Sequence, residues 1–226
     1  SKGKGYFQKK PPIVNVSNFN IDLLPGDTKL ALQEDFLAED WVKAQAGEAR
    51  GLQTTFVLSK LLNDLKGNYD YIFFDLGPSL GAINRTALLA SDFFIIPMTS
   101  DLFSLQAIDN IGISLKSWKE SIHKGLDFHK GKEDEAFQID DEIQFEWKLK
   151  FLGYVTQQYT ARKENGKKRA VKAFDALISK IPDKILNKIQ KPLNGNINDF
   201  ESLIGEIPNL HSLVPLSQTH HKPIFK

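Results

Sequence analysis

Cysteine is absent from the 226 residues, so disulfides, thiolate zinc sites and thiol catalysis are all excluded. No apolar run approaches the roughly twenty residues that a bilayer span needs, and no charged-apolar-small pattern of a signal peptide opens the chain. A cytoplasmic protein is the expectation. Net charge is nearly missing too: 29 basic against 28 acidic residues leave +1, so any affinity for a polyanion has to come from a local patch. Also lacking is the phosphate-binding motif G-x-x-x-x-G-K-[ST]. The basic start, SKGKGYFQKKPP, contains G-K-G, but aromatic and basic residues and two prolines follow it, and no strand precedes it. It reads as a solvated loop.

What remains is an ordinary globular composition. With 41% hydrophobic and 11% aromatic residues, the chain is neither disordered nor fibrous, and its length suits one α/β domain with a real core.

The most informative stretch is YDYIFFDLGPSLGAINRTALLASDFFIIPMTSDLFSL, residues 69–105. Residues 71–74 are apolar on both faces, as a strand buried in a parallel sheet must be. The run stops at Asp75, and Gly77 and Pro78 interrupt both strand and helix. A helix is predicted over residues 81–90, then a second buried strand, Phe93-Phe94-Ile95-Ile96, ending at Pro97. Strand, loop, helix and strand form a βαβ unit with a right-handed crossover. Ligands of open parallel sheets bind beyond the carboxyl ends of the strands, where Asp75 is expected. There it either holds a hard cation such as Mg²⁺, directly or through water, or caps the next helix. Placement alone leaves both open.

The motif D-L-G-P-S-L-G, the Asn-, Ala- and Leu-containing helix, the I-P strand and the F-S-L that follows resemble the ParA/Soj partition ATPases, the deviant Walker group that includes MinD. The resemblance runs over more than thirty consecutive residues with their spacing kept. It implies a P-loop NTPase-like α/β fold, a mostly parallel twisted sheet with helices on both faces in three layers. It also implies that Asp75 is the Walker B aspartate orienting the hydration shell of Mg²⁺, and that Pro78 and Ser79 lie in the loop that senses the γ-phosphate of ATP. The family's opening strand with K-G-G-x-G-K-T, and its D-x-D-P-Q, do not occur here. The resemblance therefore begins inside the family pattern. A truncated fragment, omitted residues or a relative without the P-loop would each account for that, the first two being favoured because loss of a central strand leaves apolar edge surface exposed.

Upstream, residues 13–24 read as two short strand-like pieces, IVNV and FNIDLLPG, the second resembling the family's l-d-l-l-P-s. A helix is predicted from Asp27 or Thr28 to about Trp41, and another after Gly51 with the stripe Leu58, Leu61, Leu62, Leu65. Downstream, a helix is expected through Ile108, Ile111 and Leu115 to Trp118. Residues 123–147 change texture and read as a polar surface insertion in a single 1–226 domain. His123 and His129 within it are taken as solvated surface residues, since their spacing matches no zinc motif.

Residues 148–159, KLKFLGYVTQQY, read as a buried strand resembling the family's G-i-l-l-N/T. Gln157 falls where an Asn or Thr often meets adenine, and Arg162 on a family arginine. A glutamine keeps the amide donors and acceptors that read a base edge, on a longer arm; a polar strand end in water is the alternative. From Arg162 to Lys191 ten basic residues face three acidic ones, while the rest of the chain is net acidic. A helix starting near Lys167 would put Lys168 and Lys172 on an outer stripe. Arg162, Lys167, Lys168, Arg169 and Lys172 are candidate contacts to the phosphates of non-specific DNA, a solvated face being the alternative. The resemblance also implies an ATP-dependent homodimer and a ParB-like stimulating partner, and no membrane, because no terminal amphipathic helix like that of MinD is present. The end of the chain resembles the family's closing l-g-x-i-P, making Pro215 and Leu216 candidate adenine contacts. Ser217, His220 and His221 form no hydrolase pattern. The function implied is Mg·ATP binding and hydrolysis in partitioning plasmid, phage or chromosomal DNA. The alternative is a regulatory binding module that keeps the fold without hydrolysis.

Overall fold

The computed structural model of the chain describes residues 11–99, 101–140, 143–159, 162–164, 167–169, 179–195, 202–208, 210 and 212–224. A small antiparallel hairpin comes first, β1 (Val14–Val16) with β2 (Ile21–Leu23), followed by a 3-10 helix (Thr28–Gln33), α1 (Glu34–Gln45), α2 (Ala49–Thr55), α3 (Val57–Leu65) and α4 (Ala82–Ala90). Next are β3 (Phe93–Thr99), the 32-residue α5 (Leu102–Glu133), the hairpin β4 (Gln138–Asp140) and β5 (Ile143–Gln144), β6 (Lys150–Tyr159), and the hairpin β7 (Arg162–Glu164) and β8 (Lys167–Arg169). The last elements are α6 (Ile181–Ile185), a π-helical turn (Leu186–Gln190), α7 (Lys191–Asn194), β9 (Leu203–Pro208) and α8 (Leu213–His220).

The central sheet has the order β3-β6-β9, all parallel. Parallel neighbours need crossovers, and α5 supplies the one from β3 towards β6. Asp101 starts α5 by accepting the Ser104 amide at 2.7 Å, the bond of a good N-cap. Its buried residues Leu105, Ile108, Leu115, Trp118, Ile122, Gly125 and His129 recur every three, four or seven positions, so one stripe faces inward along the whole helix.

That stripe serves two cores. Near its start, Leu105 and Ile108 pack with Met98 of β3, Phe151 and Tyr154 of β6, and Ile181, Ile185 and Ile189. Further on, Leu115, Trp118 and Ile122 pack with Trp41, Ala44, Leu52, Phe56, Leu89, Phe137 and Leu149. Phe56 is the hub of the second core, stacked on Phe145 at 4.4 Å between ring centres and tilted against Phe137 at 5.8 Å. At Gly153, φ is +144°, and a β-carbon there would lie 2.6 Å from the Ser202 carbonyl. Glycine lets β9 close on β6 beside a register shift.

The structure departs from the sequence expectations in five places. Residues 71–74 form no strand, and Tyr71 and Phe73 are 80% and 87% exposed. Apolar composition makes a segment eligible for a sheet, but a strand also needs a ladder partner, and no described segment pairs with this one. Second, β3 runs through Pro97 to Thr99. Proline is tolerated because β3 is an edge strand among the described residues, so no neighbour calls for its missing N–H; Phe93 and Ile95 on this strand are exposed. Third, the stretch read as a polar insertion is partly core: α5 continues to Glu133, and Phe137, Phe145 and Trp147 pack into the second cluster. Fourth, His129 is buried, its Nδ1–H donating to the Gly47 carbonyl at 3.1 Å, whereas His123 is exposed as expected. Fifth, Lys167–Arg169 is a strand rather than the start of a helix.

Because the buried Phe56 ring packs against Phe137 and Phe145 within the second core, Phe56→Ala should destabilise the fold by about 3–5 kcal/mol. Urea denaturation followed by circular dichroism measures it; a loss below about 1 kcal/mol would show that this core is not closely packed.

Candidate functional site

Asp75 follows the apolar run of residues 71–74, exposed, with no hydrogen bond or ion pair to another described residue. The loop it enters is held in place from behind. Asn84, buried on the first turn of α4, donates from Nδ2 to the Gly77 carbonyl at 2.6 Å and to the Ser79 carbonyl at 2.7 Å. A side chain in the helix thus meets two loop carbonyls that water would otherwise satisfy. Pro78 and Ser79 are exposed, and the Ser79 hydroxyl accepts the Gly81 amide at 3.4 Å.

The first turn of α4 starts at Gly81, which has no side chain to cap it. The cap comes from elsewhere. Glu34, the first residue of α1, accepts the Ala82 amide on Oε1 and the Ile83 amide, at 3.2 Å, on Oε2. A carboxylate suits the positive end of a helix. Arg85, one turn on, lays its guanidinium 4.3 Å from the ring centre of Trp41 and 5.8 Å from that of Trp118. Burial lowers the Arg85 pKa to about 10 and the Glu34 charge opposes the shift, so the guanidinium stays charged at neutral pH.

A second cluster lies at the carboxyl ends of the sheet strands. Register puts Thr99 of β3 beside Gln157 of β6, and Gln157 beside Ile207 of β9. Just beyond, Asp101 accepts the Thr99 hydroxyl at 2.5 Å and the Ser104 amide, and Thr99 and Ser104 share a hydroxyl–hydroxyl bond of 2.9 Å. The Thr99 hydroxyl, followed by the Ser104 and Phe103 donors, holds the Asp101 pKa below the ordinary carboxylate value, against a smaller opposing push from burial. Sequence reading passed over Thr99 and Asp101. The D-x-x-S spacing of a capping motif was the signal available.

Pro215 and Leu216 are not where the sequence reading placed them. Both lie within α8, and the Ile-Pro pair that closes a sheet strand is Ile207–Pro208, level with Gln157 and Tyr159. Ile207-Pro208 and Val214-Pro215 lie seven residues apart, and only strand pairing tells them apart. Arg162, Lys167, Lys168 and Arg169 come together on the β7–β8 hairpin, with Arg162 opposite Arg169 and Lys163 opposite Lys168. Lys172 lies outside the described residues. The missed signal here was Asn165-Gly166, the strongest short hairpin dipeptide.

A family model described as an AAA domain matches residues 8–128, more than half of the chain. The protein MJECL24 of Methanocaldococcus jannaschii is 29% identical over 209 residues, covering 92% of this chain and 60% of that one. Soj of Bacillus subtilis, a sporulation initiation inhibitor protein, is 34% identical over 92 residues, 41% of this chain and 32% of Soj. The chromosome partitioning protein ParA of Myxococcus xanthus is 31% identical over 71 residues, 31% of this chain and 25% of ParA. This chain is a member of the ParA/MinD-like P-loop ATPase family.

A solved structure of the Corynebacterium diphtheriae protein DIP2308 superposes on this ParA-like chain with a TM-score of 0.67 at 25% identity, over 88% of this chain and 64% of the other. The fold is that of a P-loop NTPase, α/β with a parallel sheet and flanking helices. The chain spans less than two thirds of the length of these relatives. No described helix is long and apolar enough to cross a membrane, and no cluster of three or more His, Asp or Glu that could hold a metal ion occurs among the described residues. The exposed carboxylate of Asp75, without a partner among the described residues, is of the donor type that suits Mg²⁺, which keeps several waters and is shared with substrate phosphates rather than caged by protein.

Asp101→Ala should cost about 1 kcal/mol at neutral pH through loss of the α5 cap. A carboxylate whose folded pKa is lowered stabilises the fold above its unfolded value, and that contribution fades as pH falls through the folded value. The gap between wild type and variant should therefore shrink below pH 3.8. Urea titrations across this range check it, and a gap independent of pH would count against a charged cap.

Proposed function

We propose that this chain works in a ParA-like partition ATPase that binds and hydrolyses Mg·ATP, dimerises with ATP bound, and associates non-specifically with DNA. The observation carrying the reading is the exposed Asp75 carboxylate, without a partner among the described residues, directly ahead of a loop whose carbonyls are tied to α4. In this role Asp75 orients water around the Mg²⁺ that accompanies ATP. Pro78 and Ser79 face the terminal phosphate, and Gln157 offers its amide to the base at the carboxyl end of the sheet. Metal-bound ATP would supply the electrophilic phosphorus, while the chain contributes positioning and charge. A ParB-like partner stimulates turnover, and the cargo is plasmid, phage or chromosomal DNA.

DNA association rests on the β7–β8 hairpin, where five of six residues are basic. Like charges directly opposite on paired strands repel, and a phosphate backbone relieves that repulsion without reading sequence.

Equilibrium binding of labelled ATP with Mg²⁺ to the full-length protein tests the first part. Saturable binding is expected, with Asp75→Ala abolishing its Mg²⁺ dependence and turnover; no saturable binding would favour a regulatory module that kept the fold alone. For DNA, Lys163→Glu with Lys168→Glu should weaken duplex affinity at least about tenfold and reduce the salt slope by about one per lysine. Unchanged affinity would remove the hairpin from the interface.

A further inference from the structure

We propose that Glu34 is a positioning residue for the loop of residues 75–81, acting through the first turn of α4. The inference rests on the reading of Asp75 given above, because the loop matters only if Asp75 and Ser79 meet a ligand.

Asn84 joins the Gly77 and Ser79 carbonyls to α4, so loop and helix end move as one body. Whatever sets the first turn of α4 consequently sets the loop. That turn has no cap of its own, since Gly81 offers no side chain. Glu34 meets two of its free amides from a different helix, one with each carboxylate oxygen.

The grip has a second point. Trp41 lies seven residues, about two turns, beyond Glu34 on the same side of α1, and its ring carries the Arg85 guanidinium. Trp118 of α5 approaches the same guanidinium from another element. Two attachments to one helix fix both the height and the rotation of α4, which a single cap would not. An isolated surface cap would also come from a neighbouring residue, whereas Glu34 is 48 positions away from Ala82 in the chain.

Gly81 belongs to the same device. Its φ of −74° is open to any residue, so the backbone does not demand glycine. A β-carbon at this position would instead collide with Glu34 Oε1. Gly81→Ala therefore displaces the carboxylate without altering Glu34 itself.

Three variants test the proposal in the full-length protein: Glu34→Ala, Gly81→Ala and the double variant. Amide hydrogen exchange should quicken roughly fivefold in peptides covering residues 77–86 in each, as expected for a lost cap, while peptides of α5 stay at the wild-type rate. Mg·ATP turnover should fall roughly tenfold in kcat with KM for ATP within about twofold, the signature of a lost transition-state arrangement rather than lost binding. The double variant should be no worse than either single one, and Glu34→Gln, which keeps the acceptor oxygen, should recover part of the rate.

Exchange that quickens while kcat holds would reduce Glu34 to a stabilising cap and overturn the proposal. So would unchanged exchange, or additive losses in the double variant. A wild-type protein without Mg·ATP turnover would instead overturn the proposed function, on which this proposal rests.

Discussion

A helix that begins on glycine leaves its first amides facing outward with nothing to receive them, and α4 is such a helix. In this chain the carboxylate of Glu34 receives two of them, and the arrangement of the site follows from that contact. Through Asn84 the same turn carries the loop that Asp75 enters. Through Arg85 it is tied to the aromatic core, where Trp41 and Trp118 pack with Leu89 and Ile122. Buried packing and exposed loop are thus linked within four residues of one helix.

The sheet contributes a different kind of constraint. Three parallel strands bring Thr99, Gln157 and Ile207 into one row: beyond the register shifts near Gly153, the ladders run unbroken from Ile95–Gly153 to Thr99–Gln157 and from Val155–Gly205 to Gln157–Ile207. Phe151 and Tyr154 anchor β6 in the first cluster, against Met98 and the helices. Asn194 strengthens that anchor by pairing its amide with both backbone groups of Phe151, at 2.9 and 2.8 Å. Apolar surface is left open at Phe93 and Ile95 on the edge strand, and at Tyr71 and Phe73 outside the sheet.

Much of this was legible in the order of residues. The helix of residues 82–90 and the strand of 150–159 were readable because periodicity and breakers are local properties. The D-L-G-P-S-L-G motif named the family for the same reason, since a loop that must approach a ligand is written in consecutive residues. Where the reading failed, it failed on partners. The apolar run of residues 71–74 lacked a described neighbour to pair with, Lys167–Arg169 found one in Arg162–Glu164, and His129 found a carbonyl at Gly47. A polar-looking stretch also hid Phe137 and Phe145, which stand among the acidic residues 133–135, 140–142 and 146.

By itself, then, the sequence determined the class of fold, the family and the place of Asp75 at the head of a glycine- and proline-broken loop, because each is encoded within a short window. Only the tertiary structure decided that Glu34 closes the end of α4, that Ile207–Pro208 rather than Pro215 stands level with Gln157, and that the basic residues of 162–169 share a hairpin. Those facts depend on contacts between residues far apart in the chain. Such contacts are selected by packing and hydrogen-bond satisfaction in three dimensions, to which no local pattern is bound.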